Sequence, residues 1–234
     1  GGESFYQSPT DMGVNRAGFA ITDEGITEEA AKQETIRRYF RYRCEYAMGL
    51  TDLGTVQRVE LLIKDFGLEL NYRNVVEPAR EASLDAQKRD KGSEGIYCGA
   101  AIALKDGTIV TGSNSTRLHA ASSLILHAAK HLAGIPEKIK LLPPFIIESV
   151  RNLKMDVLNE KTLSLDLLEA LIALSISAAT NPAAQIAVEK LNELRGCEVH
   201  MTHMPTPGDE AGLRRLGVNL TSDPNFSTKD LFIS

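Results

Sequence analysis

Apolar and polar positions follow two different periods along this chain, and the change from one to the other divides it. Residues 23–48, "DEGITEEAAKQETIRRYFRYRCEYAM", begin with acids, carry an apolar stripe at helical spacing and place arginines toward Gly49, the charge order that a helix dipole favours. "LGTVQRVELLIKDFGL" and "PAREASLDAQKRDKG" predict two more helices, the second with Pro78 in its first turn and Gly92 closing it. Residues 1–92 therefore read as a loop followed by a mainly helical segment. The charged, glycine-rich "KRDKGSEG" marks a junction.

Beyond it the period shortens to two. "IYCGAAIALKDGTIVTGSNS" is a pair of strand-like runs about Asp106-Gly107, a hairpin signature. "TRLHAASSLILHAAKHLAGIP" is apolar on nearly every side and ends at Gly134 and Pro136, as does a helix buried against a sheet. "LLPPFIIESVRNLKM" predicts a strand and a helix, and "SLDLLEALIALSISAAT" a helix. "NPAAQIAVEKLNELRG" predicts another, capped by Asn181 with Pro182 behind it. Strand "CEVHMTH", helix "DEAGLRRLG" and strand "VNLTS" complete the pattern. Residues 93–234 thus predict a layered α/β sandwich, preceded by the helical segment.

With 234 residues and 43% hydrophobic content the chain can bury a full core without staples. A formal charge of −5 argues against a general binder of nucleic acid or membrane surfaces. Cys44, Cys98 and Cys197 are widely spaced and odd in number, which suits a reducing cytoplasm. No apolar run reaches the ~20 residues that a membrane-spanning helix needs. The chain opens "GGESFYQSPTDMG" without a methionine, which predicts a stretch that begins in the middle of a larger protein.

The five histidines lie in two segments. His127 and His131 share a helix face at a spacing used by two-histidine metal sites, yet no glutamate follows His127. A hydrogen-bonded structural role is the reading, and no metal is expected. His200 and His203 would sit on opposite faces of a strand, so they would not chelate one ion. His119 falls in the first turn of the buried helix after "SNSTR", where unpaired N–H groups, Asn114, Ser115 and Arg117 would favour an anion; a plain helix cap is the alternative. In "THMPTPGDEAGL", Asp209 either caps its helix or joins Thr202 and His203 in a ligand loop, and its charge favours a sugar, an amine or a metal-bridged ligand over an anion. Thr10, Asp11, Asn15 and Arg16 in "SPTDMGVNRAGFAI", and Thr180 with Asn181 in "ATNPAAQ", form two more polar clusters.

The runs "SPTDMGVN", "AAKQETIRRYFRYR", "EGIYCGAAIALKDGTIVTG", "LIALSISAATNPAA" and "GCEVHMTHMPTPGDEAGLRRLGVNLTSDP" resemble the C-terminal half of a bacterial family described as domain of unknown function 1846. The resemblance runs along nearly the whole chain. It implies a two-part protein whose other half carries a glycine- and lysine-containing segment like a nucleotide-binding loop, and some members bear the label ATP-dependent peptidase. That segment is absent from this sequence, so the resemblance implies no cofactor for these residues and a nucleotide for the other half. The order of elements also resembles a cytidine deaminase, with "LHAAS" in place of H-A-E and "NPAAQI" in place of P-C-x-x-C. Ala121 stands where the proton-shuttling glutamate would be, and Ala183 and Ile186 where the two cysteines would be. This implies such a topology without its zinc chemistry.

The expectation is a cytosolic bacterial domain that binds a small polar or phosphorylated ligand as part of an enzyme. Asn114, Ser115, Arg117, Asn181 and Thr202 would bind it, and His119, His203 and Asp209 would carry the chemistry. The alternative is a non-catalytic assembly domain that forms a homo-oligomer and supports a nucleotide-binding half. Tyr39, Phe40, Tyr42 and Tyr46 beside arginines would then make its contact surface; the alternative is that these rings cover the domain's own core. A peptidase reading is weakest, since neither HExxH nor GxSxG occurs.

Overall fold

The computed structural model describes residues 24–227; the polar cluster at Thr10, Asp11, Asn15 and Arg16 lies outside them. Among the described residues the chain is a mixed α/β sandwich with one four-stranded sheet. Helices α1 (Glu24–Ala47), α2 (Leu53–Asp65) and α3 (Val76–Lys88) come first, followed by strands β1 (Gly99–Ala103) and β2 (Ile109–Ser113). Then come α4 (Ala120–Leu132), α5 (Pro144–Asp156), α6 (Leu167–Ala178) and α7 (Pro182–Lys190), and finally β3 (Glu198–Met201), α8 (Pro207–Leu216) and β4 (Asn219–Ser222).

The sheet order is β2-β1-β3-β4. β1 runs antiparallel to both neighbours, while β3 and β4 are parallel and joined through α8. Alternation along the strands assigns the two faces. Ala100, Ile102, Val199 and Met201 pack on Ala121, Leu124, Ile125 and Ala128 of α4. The intervening Ala101 packs on Val75 and Ala79 at the start of α3, and His200 meets Phe40 of α1. Helices press on the sheet from both sides where it lacks side chains. A Cβ on Gly99 would lie 2.1 Å from the Ala79 carbonyl oxygen, and one on Gly112 would lie 2.4 Å from the Leu124 nitrogen.

Two expectations change. The strand expected within residues 141–155 is absent: Pro143 and Pro144 deny the chain two backbone donors, and Pro144 instead opens α5 at a position where a helix tolerates it. Phe40, expected at a contact surface, is 2% exposed and belongs to the core with Ile36, Ile63 and Val76. Its neighbour Tyr39 packs partly against the same cluster, and Tyr46 is the exposed member of the set at 45%. The α1 stripe serves first to hold α1 on the sheet and on α2.

Candidate functional site

His119 is the N-cap of α4, with extended backbone and no side-chain bond to its own helix. Its entry is fixed by a short parallel pairing with the segment before α6. His119 N donates to the Leu165 carbonyl and Leu165 N to the Arg117 carbonyl, both at 2.9 Å, and the Ser122 hydroxyl adds a third tie to Leu165 O. The starts of α4 and α6 are thereby clamped side by side. The start of α8 joins them through Asp209.

Asp209 is 3% exposed and satisfies three elements at once. Oδ1 accepts from Leu167 N at the start of α6, and Oδ2 accepts from the Thr206 hydroxyl, the N-cap of α8, and from His119 Nδ1 at 2.7 Å. The His119 side chain is 17% exposed and opens on a cavity of about 310 Å3. This cavity lies beyond the C-terminal ends of β2 and β3, where Asn114 and Met201 line it, which is the edge at which α/β sheets commonly hold ligands. Its wall also includes Cys98, Lys154, Ser164 and Asp166.

The electrostatics follow from this packing. Burial opposes a charged His119, but the Asp209 hydrogen bond and the charges of Asp209 and Asp166 outweigh it and raise its pKa above the ordinary 6.5. Burial, with Asp209's charge nearby, pushes the Cys98 thiol up to about 12, so it is protonated and a poor nucleophile. Lys154 Nζ sits between Glu169 Oε2 at 2.8 Å, the Ser164 carbonyl at 3.1 Å and Glu160 at 3.2 Å. Burial disfavours its charge, yet the Glu169 and Glu160 contacts more than compensate and raise its pKa. Asp166 caps α6 through a capping box with Glu169. It lies so close to α8 that a Cβ on Gly208 would come within 1.9 Å of its Oδ2 and would have to displace the carboxylate.

Of the residues expected from sequence, the structure brings His119, Asp209 and Asn114 to one cavity. Asn114 nevertheless spends its side chain on the backbone, accepting from Cys98 N and donating to the Ile96 carbonyl. Ser115 accepts from Arg117 N and Leu118 N in a local turn, and Arg117 is exposed and outside the cavity wall. Thr202 joins the ends of β1 and β3 by accepting from Gly99 N, and His203 bonds to the Thr202 hydroxyl rather than lining the cavity. Burial lowers the His203 pKa. Asn181 caps α7 by accepting from Ala183 N and Ala184 N. His127 Nδ1 bonds to the Thr111 carbonyl and His131 is exposed. No group of three or more histidine, cysteine or acidic residues is placed to hold a metal ion among the described residues. No described helix is long and apolar enough to cross a membrane.

Lys154, Asp166 and Ser164 were missed. Asp166 had a signal, since "DLLE" at 166–169 is the D-x-x-E of a capping box. Lys154 had none, because a buried lysine in an amphipathic helix reads like a solvated one.

Comparison with known proteins adds the lineage. Residues 71–232 match the model of domain of unknown function DUF1846, C-terminal, and residues 1–67 match that of domain of unknown function DUF1846, N-terminal. The resemblance is therefore not confined to a C-terminal half: the two matches meet between residues 67 and 71. A UPF0371 protein of Clostridium botulinum (strain Alaska E43 / Type E3) is 47% identical over 232 residues, covering 99% of this chain and 46% of that protein. A UPF0371 protein of Clostridium tetani (strain Massachusetts / E88) is 44% identical with the same coverage. The chain spans about half the length of the curated relatives it matches. With family models matching along its whole length and these identities beside them, the chain belongs to the DUF1846 family.

Proposed function

We propose that the cavity bounded by the starts of α4, α6 and α8 binds a small polar ligand, and that His119, held by Asp209, moves a proton on it. The observation that carries this reading is the 2.7 Å bond from His119 Nδ1 to a buried carboxylate while the ring opens on the cavity. A carboxylate on Nδ1 fixes the tautomer and orientation of an imidazole and leaves Nε2 to exchange a proton. Thiol chemistry is disfavoured by the high pKa of Cys98. In this reading a nucleotide belongs to the part of the relatives beyond this chain. Three free cysteines suit a cytoplasmic protein.

The test is a saturation-transfer NMR screen of small polar metabolites against wild type, His119→Ala and Asp209→Asn. Binders should lose their signal in both variants while melting stays within a few degrees. Unchanged binding in both, with lowered melting, would reduce the pair to a structural clamp.

A second reading, assembly into a homo-oligomer, is supported by a different surface from the aromatic stripe. Phe145 of α5, Ile172 and Ile176 of α6 and Ile186 of α7 are all exposed on neighbouring helices. Ile172→Glu with Ile176→Glu should lower the mass seen by light scattering if that face is an interface. An unchanged monomeric mass in wild type would remove this reading.

A further inference from the structure

The cavity wall offers little to hold a phosphate. Its cationic side chains are Lys154 and His119, and Lys154 already faces Glu169, Glu160 and the Ser164 carbonyl, one partner for each of its three N–H bonds. No arginine lines it among the described residues. At two of the three helix starts, N–H groups that would receive an anion are turned to the protein's own oxygens: Leu167 N to Asp209, Glu169 N to Asp166 and Asp209 N to Thr206.

Unspent acceptors remain. Asp166 gives Oδ1 to its helix, while Oδ2 has no hydrogen-bond donor among the described residues. Ser164 is 4% exposed, lines the cavity, and its hydroxyl has no partner among the described residues. Glu94 and Glu160 add negative charge at the rim, and Met201 and Met204 supply an apolar floor. A half-buried carboxylate oxygen and the hydroxyl of a buried serine, both facing the cavity and neither with a donor among the described residues, are what an ammonium group satisfies, and the apolar part of the wall strengthens that pairing.

We propose that the cavity takes an amine: a small molecule with a protonated amino group at Asp166 Oδ2 and Ser164 and an apolar body against Met201 and Met204. The proposal rests on the reading of this cavity as a ligand site and names its charge class. A cation bound there also disfavours the imidazolium of His119, so ligand entry turns that ring toward the neutral base.

The experiment compares n-butylamine, butyramide, butyrate and inorganic phosphate, matched in size where possible and differing in charge. The readout is the NMR titration of the His119 ring protons, with Asp209, Asp166, Lys154 and Cys98 as the groups around it. n-Butylamine should bind saturably and lower the His119 midpoint. Asp166→Asn, in which asparagine still caps α6, should weaken that binding roughly tenfold or more. Tighter binding of phosphate or butyrate, with a raised midpoint, overturns the amine assignment and keeps the cavity as a ligand site. Equal binding of butyramide overturns the need for charge, and amine binding indifferent to Asp166→Asn overturns the placement. No response to any of these probes overturns the amine and the ligand site together.

Discussion

Two histidine–carboxylate pairs sit on opposite sides of this sheet and behave in opposite ways. At the cavity, His119 bonds to Asp209, which has no other cationic partner among the described residues, and its pKa rises. On the other face, His200 lies 3.6 Å from Asp223, too far for a hydrogen bond, and its Nε2 is buried without a partner. Burial beneath Phe40 pushes the His200 pKa down against the opposing charge of Asp223, with a smaller push in the same direction from Arg73 and Arg80. Asp223 does not overcome burial: it shares its charge with Arg80, which holds both its oxygens, and despite its own burial it is pulled down to about 2 by His200 and Arg80 together. A carboxylate outweighs burial when it bonds the ring directly, and loses to burial when it stands 3.6 Å away with an arginine on both its oxygens.

The stability linkages of the two pairs carry opposite signs. The His119 contribution is fully present below pH 6.5 and is lost as pH rises through its raised folded value. The His200 contribution, which favours the neutral ring, is present above pH 6.5 and is lost as pH falls through its lowered folded value. The Asp223 contribution is present above pH 3.8 and is lost as pH falls through about 2.

The strongest way to break this contrast is Phe40→Ala. Removing the ring should cost about 3–5 kcal/mol in thermal unfolding and admit water to His200, whose NMR midpoint should climb toward 6.5. An unmoved midpoint would assign the depression to the arginines instead of burial. Next is Arg80→Ala, worth roughly 2 kcal/mol in denaturant unfolding at neutral pH. It leaves Asp223's charge to His200, whose midpoint should then rise; a constant midpoint would sink the idea that Arg80 spends that charge. Asp209→Asn should lower the His119 midpoint at a cost of roughly 1–2 kcal/mol, since asparagine still accepts from Leu167 N. A His119 midpoint that stays raised would shift the credit to Asp166. The smallest effect is expected for Asn181→Ala, about 1 kcal/mol from a lost cap, with both histidine titrations unchanged.

Much of the frame was legible because local chemistry and tertiary structure agree. The acid-to-arginine order of α1, the apolar α4 and the Asp106-Gly107 hairpin each announced one element, and each formed. So did the strand–helix–strand at the end of the chain. The PP pair at Pro143 misled because the apolar run around it has a strand's length. The site was half legible. His119 and Asp209 stood out as polar residues at helix starts, but no local signal distinguishes a cap that faces a cavity from one that faces its own backbone. Ser115 and Asn181 turned out to be the second kind. Phe40 could not be placed, because an aromatic among arginines is compatible with a core or an interface until the partner surface, here His200, is known.

The bond between His119 and Asp209 spans ninety positions of sequence. Asp209 reaches it only after β3 has paired with β1 and the chain has turned into α8, so the cavity closes a long loop over elements of high sequence separation. In refolding, the helical signal of α1 and α4 should therefore return before the raised titration of His119. The kinetics of that one ring proton would report when the last wall of the cavity arrives.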